Sequence, residues 1–159
     1  MIRVGTGFDI HRMESGRRCV IGGVEIPHDS GPLGHSDGDV LLHALVDAIL
    51  GAVCAGDIGT LFPDTNPKYK DMKSEAFVEE ALRTANDKGY ALSSVDSVVF
   101  AESPRLGPHR EIICQNIAHM LSLDFDCVSV KAKTYEGLGA IGRGDAVAAQ
   151  VVAVLCNKE

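Results

Sequence analysis

Apolar and polar positions along the chain alternate between strand-like and helix-like spacing. The opening segment from Ile2 to Ile10 is short, interrupted by glycine and bounded by polar residues, which predicts a strand entering a loop. Cys19-Val20-Ile21 and Val24-Glu25-Ile26 flank Gly22-Gly23, and a glycine pair between two apolar triplets predicts a hairpin. Ser36-Asp37-Gly38-Asp39 has the Ser-x-x-Asp form of a helix start, with Ser36 as the cap, and the apolar run Val40 to Val53 follows it. Such a helix is expected to be buried on most sides. From about Ser74 to Lys88, the positions Val78, Ala81, Leu82 and Ala85 recur at i, i+3, i+4 and i+7, which predicts an amphipathic helix capped by Gly89.

A third helix begins near Pro108, whose fixed φ suits the first helical position. It carries Ile113, Ile117, Met120 and Leu121 inward and ends before Asp124. Val95 to Ala101 and Val128 to Thr134 read as strands. In the second, Val128, Val130 and Ala132 alternate with Ser129, Lys131 and Lys133, so one face is core and the other sets two amines side by side. Ala146 to Leu155 is an apolar stretch that periodicity alone does not assign to helix or strand. Helices separated by strands predict an α/β fold, a two-layer sandwich with helices packed on a sheet. No repeat, linker or low-complexity tract divides the 159 residues, so residues 1–159 are expected to form one catalytic domain.

Composition narrows the function. Hydrophobic residues are 45% and charged residues 23%, so a packed core rather than disorder is expected. Aromatics are only 5% with no Trp, which leaves little for stacking on single-stranded nucleic acid, and the formal charge of −7 opposes a broad nucleic-acid footprint. That field also repels a phosphate ester, so any phosphate ligand needs local attraction from a metal ion, helix N-termini or a few placed Lys and Arg. The five cysteines, at 19, 54, 114, 127 and 156, include no C-x-x-C pair, which fits reduced thiols in a cytosol. The start MIRVGTGFDIH has no basic segment followed by an apolar one, and no run of about 18 apolar residues occurs. A cytoplasmic, unprocessed protein with no membrane partner is expected.

Five constellations could carry chemistry. Asp9 and His11 stand at i and i+2, and in an extended segment both project to one side as a chelating pair; a capped turn would use the same residues. His43 lies in the apolar helix with Asp39 and Asp47 one turn before and after it. A polar stripe on a buried helix is costly unless neutralised, and a metal held by His43, with a carboxylate on the other ring nitrogen or beside the ion, would do so. Asp9, His11 and His43 together offer two imidazoles and one carboxylate, a set that suits Zn²⁺ with an open fourth position and could also hold iron or manganese. Gly34-His35-Ser36-Asp37-Gly38 puts His35 and Ser36 at a helix N-terminus, a seat for phosphate or a hydroxyl. Gly56-Asp57-Ile58-Gly59 and Leu61-Phe62-Pro63-Asp64-Thr65-Asn66 form acidic turns. Lys131 to Glu136 leads into a glycine-rich stretch with Arg143, where Lys and Thr can hold diphosphate oxygens and Glu136 can ligate Mg²⁺.

These segments, taken in order, resemble the 2-C-methyl-D-erythritol 2,4-cyclodiphosphate synthases of the non-mevalonate isoprenoid route. The resemblance rests on G-F-D-I-H at 7 to 11, G-H-S-D-G-D-V at 34 to 40 with L-L-H-A-L after it, G-D-I-G and L-F-P-D-T between 56 and 65, and K-A-K-T-Y-E with G-R-G between 131 and 144. It implies a mixed four-stranded sheet with helices on one face, assembled as a homotrimer with active sites between subunits. By position it implies zinc on Asp9, His11 and His43, and a second divalent ion, Mg²⁺ or Mn²⁺, on Glu136. Methylerythritol and phosphate groups would be held by His35, Ser36, Asp57, Ile58, Gly59, Phe62, Pro63, Asp64, Thr65 and Asn66. Cytidine and diphosphate contacts would come from Ala101, Glu102, Ser103, Pro104, Arg105, Leu106, Gly107, Lys133, Thr134, Tyr135 and Glu136, with His35 and Thr134 closest to the chemistry. Arg143 matches a position near a central trimer cavity that can take isoprenoid diphosphates. The chain departs from the pattern at Ala140, where many members have Phe, and at Lys133 and Tyr135, where many have Thr.

The activity implied is conversion of 4-diphosphocytidyl-2-C-methyl-D-erythritol 2-phosphate to the 2,4-cyclodiphosphate with release of CMP. The substrate's own 2-phosphate attacks, which agrees with the lack of a Ser-His-Asp or Cys-His arrangement in the chain. Two other readings use the same ligands: a zinc phosphoesterase that activates water, and a non-enzymatic module that binds metal or an isoprenoid.

Overall fold

The apolar run after Asp39 forms α1 (Val40–Ala52), and a single carboxylate starts it. Asp39 accepts from the backbone N–H groups of Leu41 and Leu42, and also from Gly22 at 2.9 Å and Gly23 at 2.6 Å. The cap is therefore Asp39 and not Ser36. A carboxylate has enough lone pairs for four N–H donors, so one buried side chain both caps the helix and ties the hairpin to it.

The computed structural model describes residues 1–34, 36–63 and 72–158. The strands are β1 (Ile2–Ser15), β2 (Cys19–Ile21), β3 (Val24–Ile26), β4 (Ser30–Pro32), β5 (Tyr90–Phe100), β6 (Val128–Lys133) and β7 (Ala146–Asn157). After α1 come the short α2 (Ile58–Leu61), α3 (Ser74–Asp87), α4 (Arg110–Leu121) and the one-turn α5 (Gly139–Gly142). The glycine pair makes the β2–β3 hairpin as expected, and Gly89, at φ 82°, follows α3 in a left-handed conformation that glycine adopts without strain. Pro108 lies in a 3₁₀ turn, Gly107–His109, directly ahead of α4.

The main sheet has the order β4-β1-β7-β5-β6, with β5 and β6 parallel and the other pairs antiparallel. It is mixed, but it holds five strands where four were expected. The extra one is the three-residue β4, paired to Met13, Glu14 and Ser15 where the chain returns from the hairpin. That pairing also explains why β1 is a 14-residue strand and does not stop at Ile10. The apolar stretch near the C-terminus is the strand β7. It is flanked by β1 and β5, and its alternate residues Val147, Ala149, Val151, Ala153 and Leu155 are buried under the helices.

The helices α1, α3 and α4 cover one face of the sheet, and α1 lies on β1 and β7. Its approach is close: a Cβ added at Gly5 or Gly7 would come within 1.9 Å of the carbonyl oxygen of Ala48 or Ala44, respectively. The opposite face carries Ile2, Val4, Phe8 and Ile10 from β1, all exposed. Among the described residues, one corner of it is covered, where Ile141 of α5 packs over Ala146, Ala148 and Phe100. Among the described residues, no helix is long and apolar enough to cross a membrane.

Candidate active site

Because side chains two apart on a strand share a face, Asp9 and His11 both point from β1 toward α1, under which Gly5 and Gly7 let the strand lie. There they meet His43. Asp9 Oδ2 lies 2.9 Å from His11 Nε2 and 3.1 Å from His43 Nδ1, and the two ring nitrogens are 3.0 Å apart. His43 is buried, while Asp9 and His11 are half-buried.

The far side of each ring settles what this triangle can hold. His11 Nδ1 is 2.7 Å from the carbonyl oxygen of Leu33, a group that only accepts, so the ring proton sits on Nδ1 and Nε2 keeps its lone pair. His43 Nε2 faces the hydroxyls of Ser36 at 3.0 Å and Ser74 at 2.9 Å, and donation to them leaves Nδ1 bare. With the rings in these tautomers, two nitrogen lone pairs and a carboxylate converge on one point, a donor set suited to a cation; without an ion, a ring proton turned to Asp9 holds the contact. A tetrahedral Zn²⁺ with bonds of 2.0–2.1 Å wants its donors about 3.3 Å apart, so the triangle closes on such an ion with little movement. Burial pushes the Asp9 carboxyl up, but hydrogen bonds and charge from His11 and His43 outweigh it and hold the group well below the usual carboxylate range. For His11, burial lowers the pKa, and the Asp9 contact more than reverses this, so the ring is raised above its ordinary value.

The neighbouring carboxylates have other tasks than the metal. Asp39, expected as a possible partner of His43, is spent on four backbone donors; burial raises its pKa to about 6 against the pull of those N–H groups. Asp47 accepts from the backbone N–H of Ile58 at 2.8 Å and so fastens the start of α2 to α1. Asp57 caps α2, accepting from Thr60 N–H at 2.8 Å and Thr60 Oγ1 at 2.7 Å. Ile58 and Gly59 follow on the same turn, and the ring of Phe62 packs 4.5 Å from that of Phe77, which in turn stands 6.1 Å from His43. Pro63 is exposed at the end of this segment. His35, Asp64, Thr65 and Asn66 lie outside the described residues.

The cytidine and diphosphate candidates gather elsewhere. Ala101 N–H donates to the carbonyl of Lys133 at 3.0 Å, and Glu102 Oε2 accepts from Tyr135 N–H at 3.1 Å, so the 101–107 and 133–136 loops form one unit. Tyr135 meets Phe100 edge to face, with centroids 5.4 Å apart. Ala101 and Leu106 are buried; Ser103, Arg105, Gly107, Lys133, Thr134 and Glu136 are exposed, and Pro104 is half-buried. Glu136 stands with φ at 52°, and Arg143 pairs with Asp145 at 3.0 Å. Among the described residues, only Asp9, His11 and His43 form a group of metal-ligand side chains. Three inter-strand steps separate β1 from β6, about 14 Å at roughly 4.8 Å each. The chain thus presents two clusters, a candidate metal site and a loop unit, at the same end of the sheet but apart.

Two residues around the candidate metal site were not singled out from sequence: Ser74, which reads only as a helix start, and Leu33, which acts through a backbone carbonyl and leaves no side-chain signal.

Comparison with known proteins agrees with this arrangement. The chain matches the model of the YgbB family over residues 2–156. A 2-C-methyl-D-erythritol 2,4-cyclodiphosphate synthase of Alkaliphilus metalliredigens is 48% identical over 95% of this chain and 95% of its own length. The bifunctional enzyme IspD/IspF of Erythrobacter litoralis is 47% identical over 99% of this chain, which spans 41% of that longer protein. A solved 2C-methyl-D-erythritol-2,4-cyclodiphosphate synthase in a form bound to CDP superposes with a TM-score of 0.90 at 41% identity, covering 97% of this chain and 100% of the other. With a family match along nearly all of its length and relatives at this identity, the chain belongs to the YgbB family.

Proposed function

We propose that the protein converts 4-diphosphocytidyl-2-C-methyl-D-erythritol 2-phosphate to 2-C-methyl-D-erythritol 2,4-cyclodiphosphate and CMP, as a phosphorus-oxygen lyase of isoprenoid precursor biosynthesis in the cytoplasm. The observation that carries this is the triangle of Asp9, His11 and His43, whose outer ring nitrogens meet the Leu33 carbonyl and the Ser36 and Ser74 hydroxyls, in a chain whose close relatives bear the synthase name. An oxygen of the 2-phosphate bonds to the phosphorus nearest the methylerythritol carbon, the bond from that phosphorus to the CMP oxygen breaks, and CMP leaves with the electron pair. The nucleophile is part of the substrate. The chain's task is then positioning and charge neutralisation.

Asp9, His11 and His43 would hold Zn²⁺, which supplies Lewis-acid polarisation of a phosphoryl oxygen. Ser36 offers a hydroxyl beside that centre, and the α2 turn at Asp57, Ile58 and Gly59, fastened by Asp47, offers backbone and carboxylate contacts to the polyol. The loop unit of Ala101 to Gly107 with Lys133 to Glu136 would take the cytidine and diphosphate, Thr134 would steady the transition state, and Glu136 would give one carboxylate to Mg²⁺ or Mn²⁺, which would neutralise diphosphate charge. His35, Asp64, Thr65 and Asn66 complete the proposed set.

A homotrimer with sites between subunits accounts for two features at once. The bare apolar face of β1 needs a cover, and the loop unit of one subunit can meet the metal centre of the next. Purified protein with zinc, Mg²⁺ and substrate is expected to yield cyclic diphosphate and CMP; a linear product carrying solvent oxygen would instead establish a phosphoesterase. His43→Ala should lose bound zinc and most turnover. Light scattering should give about three times 16.9 kDa, and Phe8→Asp should lower that mass.

A further inference from the structure

His43 reaches the metal centre through Nδ1, so whatever holds the opposite nitrogen decides whether that lone pair is available. Ser74 Oγ lies 2.9 Å from Nε2 and is wholly buried at the first residue of α3. Its hydroxyl donates to Asp37 Oδ1, and Asp37 Oδ2 accepts from the backbone N–H of the same serine at 3.1 Å. A serine hydroxyl has one proton and two lone pairs. With that proton given to a carboxylate, Ser74 can meet Nε2 only as an acceptor, which places the ring proton on Nε2.

Resting on the metal-centre reading above, we infer that Ser74, held by Asp37, is the positioning residue that locks the His43 ring with Nδ1 toward the ion, leaving the Ser36 hydroxyl proton for a substrate phosphate oxygen. Ser36 accepts from Gly38 N–H at 3.2 Å and from His43 Nε2 at 3.0 Å, and no described group takes its proton. The two serines therefore divide the work. Ser74 is out of reach of solvent and holds the ring; Ser36, beside it, can turn its proton to the ligand without releasing His43. Asp37 and Ser74 are 37 positions apart in sequence and come from the loop before α1 and the start of α3, respectively, so the metal ligand is braced by an element that carries no ligand itself.

The test compares the unaltered chain with Ser74→Ala and Ser36→Ala, measuring zinc dissociation by chelator competition, steady-state kinetics, and the ¹⁵N signals of His43 in the zinc-loaded protein. Ser74→Ala is expected to weaken zinc about 10- to 100-fold, the usual loss on removing a partner of a ligating histidine. Ser36→Ala should keep zinc affinity near that of the unaltered chain while lowering kcat/KM. Zinc affinity retained in Ser74→Ala, or lost in Ser36→Ala alone, overturns the assignment. If Ser74→Ala does not fold, the unaltered chain decides: a proton on Nε2 that exchanges slowly with water supports it, and one on Nδ1 defeats it. Zinc retained in His43→Ala would instead sink the metal-centre reading, so the two failures are separable.

Discussion

Replacing Gly7 with alanine should disable the metal centre without touching a ligand. The added Cβ would lie 1.9 Å from the carbonyl oxygen of Ala44 and 2.8 Å from the backbone nitrogen of Ala48. Backbone atoms cannot rotate away, and a carbon–oxygen contact needs roughly 3.2 Å, so β1 must lift from α1 by about 1.3 Å. Ala44 adjoins His43, and Gly7 is two residues before Asp9 on the same face. The lift therefore moves Asp9 and His11 as one body away from His43, and edges of 3.0 and 3.1 Å open toward about 4 Å. Two donors about 4.1 Å apart can both bond at 2.0–2.1 Å only in a straight line, which a tetrahedral ion rejects. Overpacking of this kind costs about 1–3 kcal/mol, or a Tm lower by roughly 2–12 °C at this chain length. A misplacement near 1 Å also lowers turnover about 100-fold. Scanning calorimetry with and without excess zinc, metal content after dialysis and CMP release measure all three. A Gly7→Ala protein that keeps its zinc, its Tm and its rate would show that close strand–helix packing does not set the donor triangle.

Other expectations follow from the same contacts. Gly51 is exposed on α1, and an added Cβ would meet the Thr6 carbonyl oxygen at 3.9 Å, an ordinary contact, so Gly51→Ala should stabilise the chain by about 0.5–1 kcal/mol in urea unfolding, and a loss there would contradict the helix placement. Asp39→Asn turns an amide N–H₂ toward one of four buried N–H donors and should destabilise by about 1–3 kcal/mol; a change within error would mean that the hairpin is held by something else. For the zinc-free protein the Asp9–His11 contact sets opposite limits. The lowered Asp9 pKa adds stability present above its ordinary 3.8 and lost as pH falls through the depressed value, and the raised His11 pKa adds stability present below 6.5 and lost as pH rises through the elevated value. Thermal melts should show a contribution largest between these two, and His11→Ala should remove the alkaline-side loss; an unchanged profile in that variant would refute the pairing.

Much of the site was legible because its spacing is local. Asp9 and His11 at i and i+2 share a face in any strand, and His43 in an apolar helix called for a partner, so the three side chains that the fold brings together could be named before any coordinates. The hairpin at Gly22-Gly23, the helix from Ser74 and the strands around Val95 and Val128 rest on equally local chemistry. Where local logic chose wrongly, a distant group intervened. Ser36 looked like the cap of α1, but Asp39 can satisfy the helix and the hairpin together, which a hydroxyl cannot. Asp47 looked like a companion of the metal, but the N–H of Ile58 claimed it.

By itself, then, the sequence determined the secondary structure periods, the ligand types and the order of the family's motifs, because these depend on neighbours within a turn or two of chain. Tertiary structure alone decided which face of β1 is the inside. Ile2, Val4, Phe8 and Ile10 face outward, and the inward side carries Gly5, Gly7, Asp9 and His11. The reason is steric: only a strand face bare of Cβ atoms can approach α1 closely enough to bring its carboxylate and imidazole within 3.1 Å of His43.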